Sequence, residues 1–467
     1  MEILFVAPEI TPYSRTGSVA DVCAALPKAL RGLGHRVTVI SPLYRGIEPV
    51  QHSLARRLSP LAVDVGGERA DVMVFDGRTT GGVDIVFVAH DAFAAPDWSE
   101  REPAVRVRSA VLFGAAALEI ARNRQPAIEV LHAHGWFAAP ALALAEKALP
   151  TVGRVLSLHD ATERATLDDA SKALAPALRD ALTEGSPPSL LAAGARAAQR
   201  VIAGSQNEAS ALATRTGDST FGPGVLAEGK LVGIADGLDA ARWNPLTDSH
   251  LPQRFDPVNL EGKARCKDQL QLDSGLPVRQ DAPLVAALVE DAGANAASVA
   301  LLASGVAEAL RNDLQIVVLG GVGIAALTAL AEKYPDRVAL MPAADEKLLH
   351  RALAASDFVL LPAPPRREAS VLFAALRYGA LPIARRAGAA ADALIDCDAK
   401  LDTGTGFAFE REDATEMADA ITRAVAGFSL PERFLALRRK AMRLDLSWER
   451  SARRYEHVYK SVLTRRE

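Results

Sequence analysis

Residues 2–46 read EILFVAPEITPYSRTGSVADVCAALPKALRGLGHRVTVISPLYRG, and their pattern is the most informative of the chain for the fold class. A strand-like opening is followed by a Gly-bearing turn, then by an apolar run at helical spacing, and finally by the strand-like RVTVIS. Apolar runs separated by helical patterns predict βαβ units with a buried parallel sheet. This first segment is therefore predicted to begin a doubly wound α/β domain.

The turn Arg15-Thr16-Gly17-Ser18 leads into the predicted helix. A loop of this kind directs unpaired backbone N–H groups and the positive end of the helix dipole towards a ligand, which favours an anion. Arg15 adds a planar cation suited to phosphate, and Asp21, one turn into the helix, can accept a hydroxyl proton. The alternative is an ordinary strand–turn–helix connection that binds nothing.

The rest of the chain repeats the alternation of strand-like and helical segments. Its 467 residues suggest two domains of roughly 200 residues each. We expect domains at 1–240 and 241–445, with a closing helix at 446–467 that packs on the first domain through Trp448, Ala452, Tyr455 and Tyr459. The chain is expected to pass from the first domain to the second near residues 239–283. A cleft between the two domains is the expected ligand site. The strand candidates are VTVIS, DIVFVAHD, VLHAH, RVLSLHD, RVIAGS, LVAALVE, QIVVLGG, RVALMP, FVLLPAP and LPIARR.

Composition narrows the class of protein. The net charge of −4 gives no electrostatic reason to expect nucleic acid or an acidic membrane surface as a partner. Cys23, Cys266 and Cys397 are too few and too far apart for a disulfide framework or a zinc cluster. No apolar run is long enough to cross a bilayer, and no leader-like segment opens the chain. We expect a cytoplasmic protein with no metal.

Four sequence motifs resemble motifs of one protein family and follow one another in that family's order. Residues 15–22, RTGSVADV, resemble the signature Lys-Thr-Gly-Gly-Leu-Ala-Asp-Val of the bacterial glycogen synthase and plant starch synthase family. The later words are Asp236-Gly237 with Asp239–Pro245, the segment Ala375–Arg385, and Ser447–Ser451. The resemblance implies the two-domain GT-B fold and retaining transfer of glucose from ADP-glucose to the non-reducing end of an α-1,4-glucan. No cofactor or metal is implied, since ADP-glucose is a substrate.

The resemblance also implies site residues. His159 stands where the family places a histidine that hydrogen-bonds the donor sugar, and it is the candidate catalytic residue. His132 and His134 repeat a family His-Ala-His word in which Gly135 replaces an Asp. A metal pair at these two histidines is a weak alternative, because no third ligand is nearby in the sequence. The candidate nucleotide-sugar contacts are Arg15, Thr16, Gly17, Ser18, Asp21 and Gly388.

At several functional positions of the family's motifs, this chain carries a different residue. Without a metal, the charge of the leaving diphosphate must be met by protein cations, which the family supplies as an Arg and a Lys at the start of the second domain. Here Glu290 and Asn295 take those places, and no Arg or Lys occurs between residues 281 and 310. Two unit charges about 4 Å apart interact by about 4 kcal/mol at an effective dielectric near 20, so Arg to Glu reverses a term of that size.

Other motifs that the family uses on the side of the nucleotide-sugar donor also differ in this chain. The family's Phe-Glu-Pro-Cys-Gly-Leu loop aligns with Pro365–Ser370, so Arg366 and Arg367 enter the loop and Glu368 stands two places late. Ala387–Ala390 keeps the single Gly388. A Tyr near the adenine becomes Leu353, and a Lys of the first domain becomes Ala192.

The sequence therefore favours a family member with lost or strongly reduced catalysis, kept as an α-glucan-binding or partner-binding protein. The alternative is an active α-glucan glucosyltransferase of glycogen synthesis that uses ADP-glucose, with Arg366 or Arg367 replacing the lost cations. A transferase retuned to another donor is the third interpretation. Whether the protein is an enzyme stays open at this stage.

Overall fold

The computed structural model describes residues 1–65, 67–94, 101–160, 189–214, 221, 229–289, 296–343, 345–362 and 368–463. The chain divides into two compact units. The first unit comprises Met1–Asp236 together with Trp448–Glu467, and the second comprises Gly237–Ser447. The chain thus passes between units a few residues from the predicted boundaries at 240 and 445.

The first unit is built on a sheet in the order β10-β9-β8-β7-β1-β2-β6-β5-β3, with β4 paired to β5. From β10 to β6 all neighbours are parallel, whereas β3, β4 and β5 form antiparallel pairs at one edge. The strands are β1 (Glu2–Val6), β2 (Arg36–Pro42), β3 (Ala55–Arg56), β4 (Leu61–Val65), β5 (Glu68–Arg78), β6 (Asp84–Ala89), β7 (Val130–His134), β8 (Gly153–Ser157), β9 (Arg200–Ala203) and β10 (Leu231–Gly233).

The predicted strands of the first half are confirmed. They could be recognised in the sequence because strands buried on both faces consist of continuous apolar runs. The antiparallel edge was not predicted, because β5 is largely half-exposed and carries charged residues within its run. The described helices of this part are α1 (Ser18–Gly32), α2 (Pro103–Arg122), α3 (Gly135–Ala148), α4 (Leu190–Ala197) and α5 (Gln206–Thr214).

The second unit has a parallel sheet in the order β13-β12-β11-β14-β15-β16, the doubly wound order of a Rossmann-like domain. Its strands are β11 (Leu284–Leu288), β12 (Gln315–Leu319), β13 (Val338–Met341), β14 (Phe358–Leu361), β15 (Leu381–Arg385) and β16 (Phe407–Phe409). Its helices are α6 (Glu261–Asp273), α7 (Ala296–Ala309), α8 (Ala325–Lys333), α9 (Glu346–Ala355), α10 (Glu368–Arg377), α11 (Gly388–Ala393), α12 (Ala414–Phe428) and α13 (Pro431–Met442). The five strands predicted for this half are confirmed.

The last helix, α14 (Trp448–Leu463), belongs to the first unit and packs against α1 and β8. Its predicted stripe of Trp448, Ala452, Tyr455 and Tyr459 is buried. Ser451 Oγ donates a hydrogen bond to the Ala235 carbonyl at 2.8 Å, which ties the helix to the end of the first unit's preceding segment.

Within the described part of the chain, no helix is both long and apolar enough to cross a membrane. The same residues contain no group of three or more His, Cys, Asp or Glu side chains placed to hold a metal ion.

Candidate functional site

The candidate site lies at the carboxyl edge of the first unit's parallel strands. β1 pairs with β2 on one side and with β7 on the other, so the strand order reverses between β1 and β7. Ligands of open α/β sheets bind at such switch points, beyond the carboxyl ends of the strands. Glu9 and the turn at 15–18 follow β1, Gly135 follows β7, His159 follows β8, and Asp236 follows β10.

The turn holds an anion, but the anion belongs to the chain itself. The Glu9 carboxylate accepts hydrogen bonds from the Thr16 backbone N–H at 2.5 Å, from Thr16 Oγ1 at 2.9 Å and from the Gly17 backbone N–H at 3.2 Å. The expectation that the N–H groups of Thr16 and Gly17 are unpaired is therefore wrong. Burial raises the pKa of Glu9, while its bonds to Thr16 and Gly17 oppose that rise.

Sequence reasoning missed Glu9. The available signal was an acidic residue three positions after a buried strand and six positions before a turn that the helix dipole makes favourable for negative charge.

Arg15 is also engaged. Its Nη2 donates to Asp21 Oδ2 at 2.9 Å, and both side chains are about a quarter exposed, at 27 % each. Asp21 Oδ1 accepts a hydrogen bond from Thr11 Oγ1 at 2.9 Å, within the chain. The charge of Arg15 is therefore partly balanced before any ligand arrives. The roles of Arg15 and Asp21 in binding a nucleotide sugar stay predictions.

The other two backbone candidates begin helices. Ser18 is the first residue of α1, with Gly17 as its extended N-cap residue. Gly388 is the first residue of the short helix α11 in the second unit and has a left-handed φ of 54°. This conformation suits the glycine that the family's turn retains here.

Three histidines form a continuous column in the first unit. The ring of His132 lies 4.1 Å from that of His134 between centroids, and Phe5 packs against both rings. His134 Nδ1 lies 2.9 Å from His159 Nε2. His159 is a non-glycine residue at a φ of 56°, a backbone conformation that L-residues adopt rarely and that clusters at functional sites.

The column is neutral at physiological pH. Burial lowers the pKa of His132 and His134 well below the ordinary value, and neighbouring histidine charges lower it further. Burial also lowers the pKa of His159 to about 4. These rings therefore act as hydrogen-bonding groups rather than as cations for a diphosphate.

Gly135 leaves room where the family carries an Asp. Its φ is 69°, and a Cβ built on it would meet no atom within 4 Å. The space beside the Gly135 backbone is therefore open.

Asp236 lies near two other acids, Glu208 and Asp21. Burial raises the pKa of the partly buried Asp236 to about 7, and the nearby charges of Glu208 and Asp21 raise it further. Burial raises the pKa of Glu208 as well, although its carboxylate accepts the Gly204 N–H at 2.9 Å. Asp236 stands where the family's hinge word has Asn. The edge therefore carries a surplus of carboxylates, which is unfavourable for a phosphate ligand.

Several residues singled out in the sequence cannot be placed in this edge. Glu290, Asn295, Arg366 and Arg367 lie outside the described residues. Glu368 is the first residue of α10. Leu353 and Ala192 are completely buried in α9 and α4, where they contribute to the packed cores of their units.

Comparison with known proteins identifies the family. The family model of the starch synthase catalytic domain matches residues 2–224. A glycogen synthase of Anaeromyxobacter sp. is 34 % identical over 99 % of this chain and 99 % of its own length. This chain belongs to the glycogen synthase family.

The fold of this chain agrees with that assignment. The catalytic domain of starch synthase IV from Arabidopsis thaliana, solved with ADP and acarbose, superposes with a TM-score of 0.84 at 24 % identity over 99 % of both chains. Sucrose-phosphate synthase from Thermosynechococcus elongatus superposes with a TM-score of 0.58 at 16 % identity over 99 % of both chains. The predicted GT-B fold, with two doubly wound α/β units, is confirmed.

In this family member the motif Trp243-Asn244-Pro245 has a packing role within the second unit. Trp243 stacks on His350 with centroids 4.0 Å apart and planes 10° apart. Asp248 Oδ2 lies 2.7 Å from His350 Nδ1 and accepts the Tyr378 hydroxyl at 2.6 Å. These four side chains join the start of the second unit to α9 and to the end of α10.

A second buried network of the protein lies at the amino ends of β11, β14 and β15. Asp357, directly before β14, accepts from Lys267 Nζ at 2.8 Å, from Arg438 Nη2 at 2.6 Å and from the Leu284 N–H at 2.9 Å. Lys263 Nζ donates to three backbone carbonyl groups, at 3.4, 2.9 and 2.9 Å. The carbonyls belong to Leu353, Ala354 and Tyr378. Asp357 and Lys263 therefore each have three hydrogen-bond partners.

Proposed function

We propose that the protein acts in α-glucan metabolism as an α-glucan-binding member of the glycogen synthase family whose own glucosyl transfer is lost or strongly reduced. The observation that carries the proposal is the contrast between a family framework kept over the whole chain and a donor segment in which Glu290 and Asn295 replace the family's two cations. Removal of one stabilising group at a reacting oxyanion costs about 100- to 1,000-fold in rate. Replacement of a cation by a carboxylate adds repulsion to that loss.

The geometry of the first unit supports the same proposal. Thr16 and Gly17 direct their N–H groups to Glu9, Arg15 pairs with Asp21, and Asp236 adds a carboxylate. A diphosphate approaching this edge would have to compete with Glu9 for the N–H groups and with Asp21 for the guanidinium. An α-glucan is neutral and requires hydrogen-bonding groups rather than cations.

An active ADP-glucose:α-1,4-glucan glucosyltransferase is the second candidate function. The full-length similarity to proteins named glycogen synthase favours it. In this case the bond from glucose C1 to the diphosphate would break, ADP would leave, and an acceptor hydroxyl would bond to C1 with loss of its proton. His159 would contact the donor sugar, and Arg15 with Arg366 or Arg367 would meet the diphosphate charge.

Incubation of the purified protein with labelled ADP-glucose and glycogen distinguishes the two candidates. We expect no incorporation above the buffer control, together with co-sedimentation of the protein with glycogen. Incorporation by the native protein would overturn the loss of transfer and establish the second candidate. Absence of both incorporation and co-sedimentation would overturn the glucan-binding proposal and direct the search to a protein partner, by pull-down.

A triple variant that restores the family letters gives the matched control. Gly135→Asp, Glu290→Arg and Asn295→Lys together are expected to give incorporation above the buffer control, because each restored oxyanion donor is worth about 100-fold or more in rate. A thermal-shift panel of nucleotides tests for a changed donor, because a ligand that binds only the folded state raises the melting temperature.

A further inference from the structure

The two ring nitrogens of His134 differ in their surroundings. Nδ1 lies 2.9 Å from His159 Nε2. Nε2 is buried and has no hydrogen-bond partner among the described residues. The whole side chain is inaccessible to solvent, with a relative exposure of 0 %, so water does not satisfy the second nitrogen from outside.

Two proton arrangements are compatible with the contact between His134 and His159. A neutral imidazole has one N–H donor and one acceptor nitrogen, and burial keeps both of these rings neutral. In the first arrangement His134 Nδ1–H donates to His159 Nε2, and His134 Nε2 keeps a buried lone pair. In the second, His159 Nε2–H donates to His134 Nδ1, and His134 Nε2 carries a buried N–H with no acceptor.

The first arrangement is favoured. In the second arrangement the N–H of His134 Nε2 would be buried without an acceptor, and orphaned buried N–H groups are rare in proteins. If His134 donates, His159 Nε2 is an acceptor, and the proton of the neutral His159 ring must lie on Nδ1.

We infer that His134 is a positioning residue that fixes His159 in the Nδ1–H tautomer, so that His159 offers a hydrogen-bond donor to a neutral ligand oxygen such as a sugar hydroxyl. The ligand class rests on the proposed function, whereas the tautomer rests on the contact between the two rings and on the burial of His134. His159 is half-buried, follows β8 at the carboxyl edge and is held in a left-handed conformation, which are the properties of a ring kept for ligand contact.

The ring of His134 is itself held in place by a fully bonded neighbour. His132 Nδ1 lies 2.9 Å from the Tyr459 hydroxyl, and His132 Nε2 lies 2.9 Å from Ser157 Oγ. His132 then stacks on His134 beside Phe5. The closing helix α14, which carries Tyr459, therefore supports the column from the end opposite His159.

Nitrogen-15 NMR of the full chain labelled at histidine tests the inference, because long-range proton–nitrogen correlations distinguish the two tautomers. The His159 signals are assigned by their absence in His159→Gln. We expect the protonated nitrogen of His159 to be Nδ1. A proton on Nε2 would overturn the inference whatever the protein binds.

Two substitutions of His134 separate its hydrogen bond from its volume. In His134→Asn the amide nitrogen takes the place of Nδ1, so the variant is expected to keep the His159 tautomer. In His134→Phe the ring volume remains but the donor is lost, so His159 should show a mixture of tautomers and affinity for a maltooligosaccharide should fall about two- to tenfold. Equal behaviour of the two variants would contradict a positioning role.

Tyr459→Phe is the matched control, because it removes a partner of His132 and leaves the bond between His134 and His159 in place. It should change the His132 signals and leave the His159 tautomer unchanged. If it mixed the His159 tautomers as His134→Phe does, a general structural effect would replace the inference. Failure of the native protein to bind glucan would overturn the proposed function but not the tautomer assignment.

Discussion

The titratable groups of two clusters, one in each unit, differ in position and in how fully they are bonded. In the first unit they gather at the carboxyl edge of the sheet, where Glu9 and Asp236 have raised pKa values and His134 Nε2 has no hydrogen-bond partner among the residues that the structure describes. In the second unit they lie at the amino ends of β11, β14 and β15, where Asp357 and Lys263 each have three partners.

The difference separates groups kept for stability from groups available for ligands. A buried charge with all of its partners holds strands and helices together, and its removal leaves the partners uncompensated. A buried group with a shifted pKa at a strand's carboxyl end marks a candidate functional position. The four predictions below test this contrast, beginning with the largest expected effect.

Asp357→Asn is expected to lower the free energy of unfolding by about 3–5 kcal/mol, because Lys267 and Arg438 would remain buried without their carboxylate. Although burial raises the pKa of Asp357, Arg438 and Lys267 outweigh burial and hold it below the ordinary value. The carboxylate therefore stabilises the fold above the unfolded pKa, and the difference between variant and native protein should shrink as the pH falls through the folded pKa. Urea unfolding at several pH values measures this. Asp419→Asn breaks an exposed pair with Arg311 and should cost at most about 1 kcal/mol; equal losses would refute the contrast.

Two glycines with positive φ should respond very differently to alanine. At Gly404, with φ 115°, a Cβ would lie 2.5 Å from Cys397 Sγ and 2.6 Å from its Cα, so Gly404→Ala should cost about 3 kcal/mol or more. At Gly135 a Cβ meets open space, so Gly135→Ala should cost only about 1–2 kcal/mol of backbone strain. Thermal unfolding of the two variants compares them. A larger loss at Gly135 would mean that the carboxyl edge is as tightly packed as the second unit.

Asp236→Asn restores the family letter at the hinge word and is expected to stabilise the protein by about 1–2 kcal/mol at pH 8, an estimate reduced for partial exposure. The folded pKa of about 7 exceeds the ordinary value of 3.8. The folded state thus binds a proton that the unfolded chain releases between these values, and stability falls as the pH rises through them. The gain should disappear near pH 4. Asp91→Asn, at an exposed turn residue, serves as the control, and a pH-independent gain at position 236 would contradict the assignment.

Glu9→Gln should raise the affinity for ADP about tenfold, because a negative charge leaves the turn while the side chain keeps its shape. Calorimetric titration at pH 7 measures the change, with Glu48→Gln, at an exposed position, as the control. Unchanged or weaker ADP binding would show that the turn is a structural connection and that Glu9 merely closes it.

The sequence predicts the fold well because both sheets are made of strands whose apolar runs are unbroken. VLHAH and QIVVL are buried along their whole length, so continuous hydrophobicity identifies them. The strands that escaped prediction, such as β5 and the three-residue β10, are half-exposed or too short to show a pattern.

The candidate site was predicted as a set of residues but not as a set of contacts. The sequence places Arg15 and Asp21 one helical turn apart, yet it does not reveal that they pair with each other or that Glu9 takes the N–H groups of the turn. The contact between His134 and His159 depends on the register of β7 against β8, which pairs His134 with Ser157. Such register information comes from the assembled sheet and not from local spacing.

The return of α14 to the first unit has a consequence for the order of synthesis. The phenol of Tyr459 reaches His132 only after all of Gly237–Ser447 has been translated. Domains often fold as units while the chain is being made, from the amino terminus onward. Here the domain begun first is completed last. Until α14 emerges from the ribosome, the side of α1 and β8 that it covers is open to water and to chaperones.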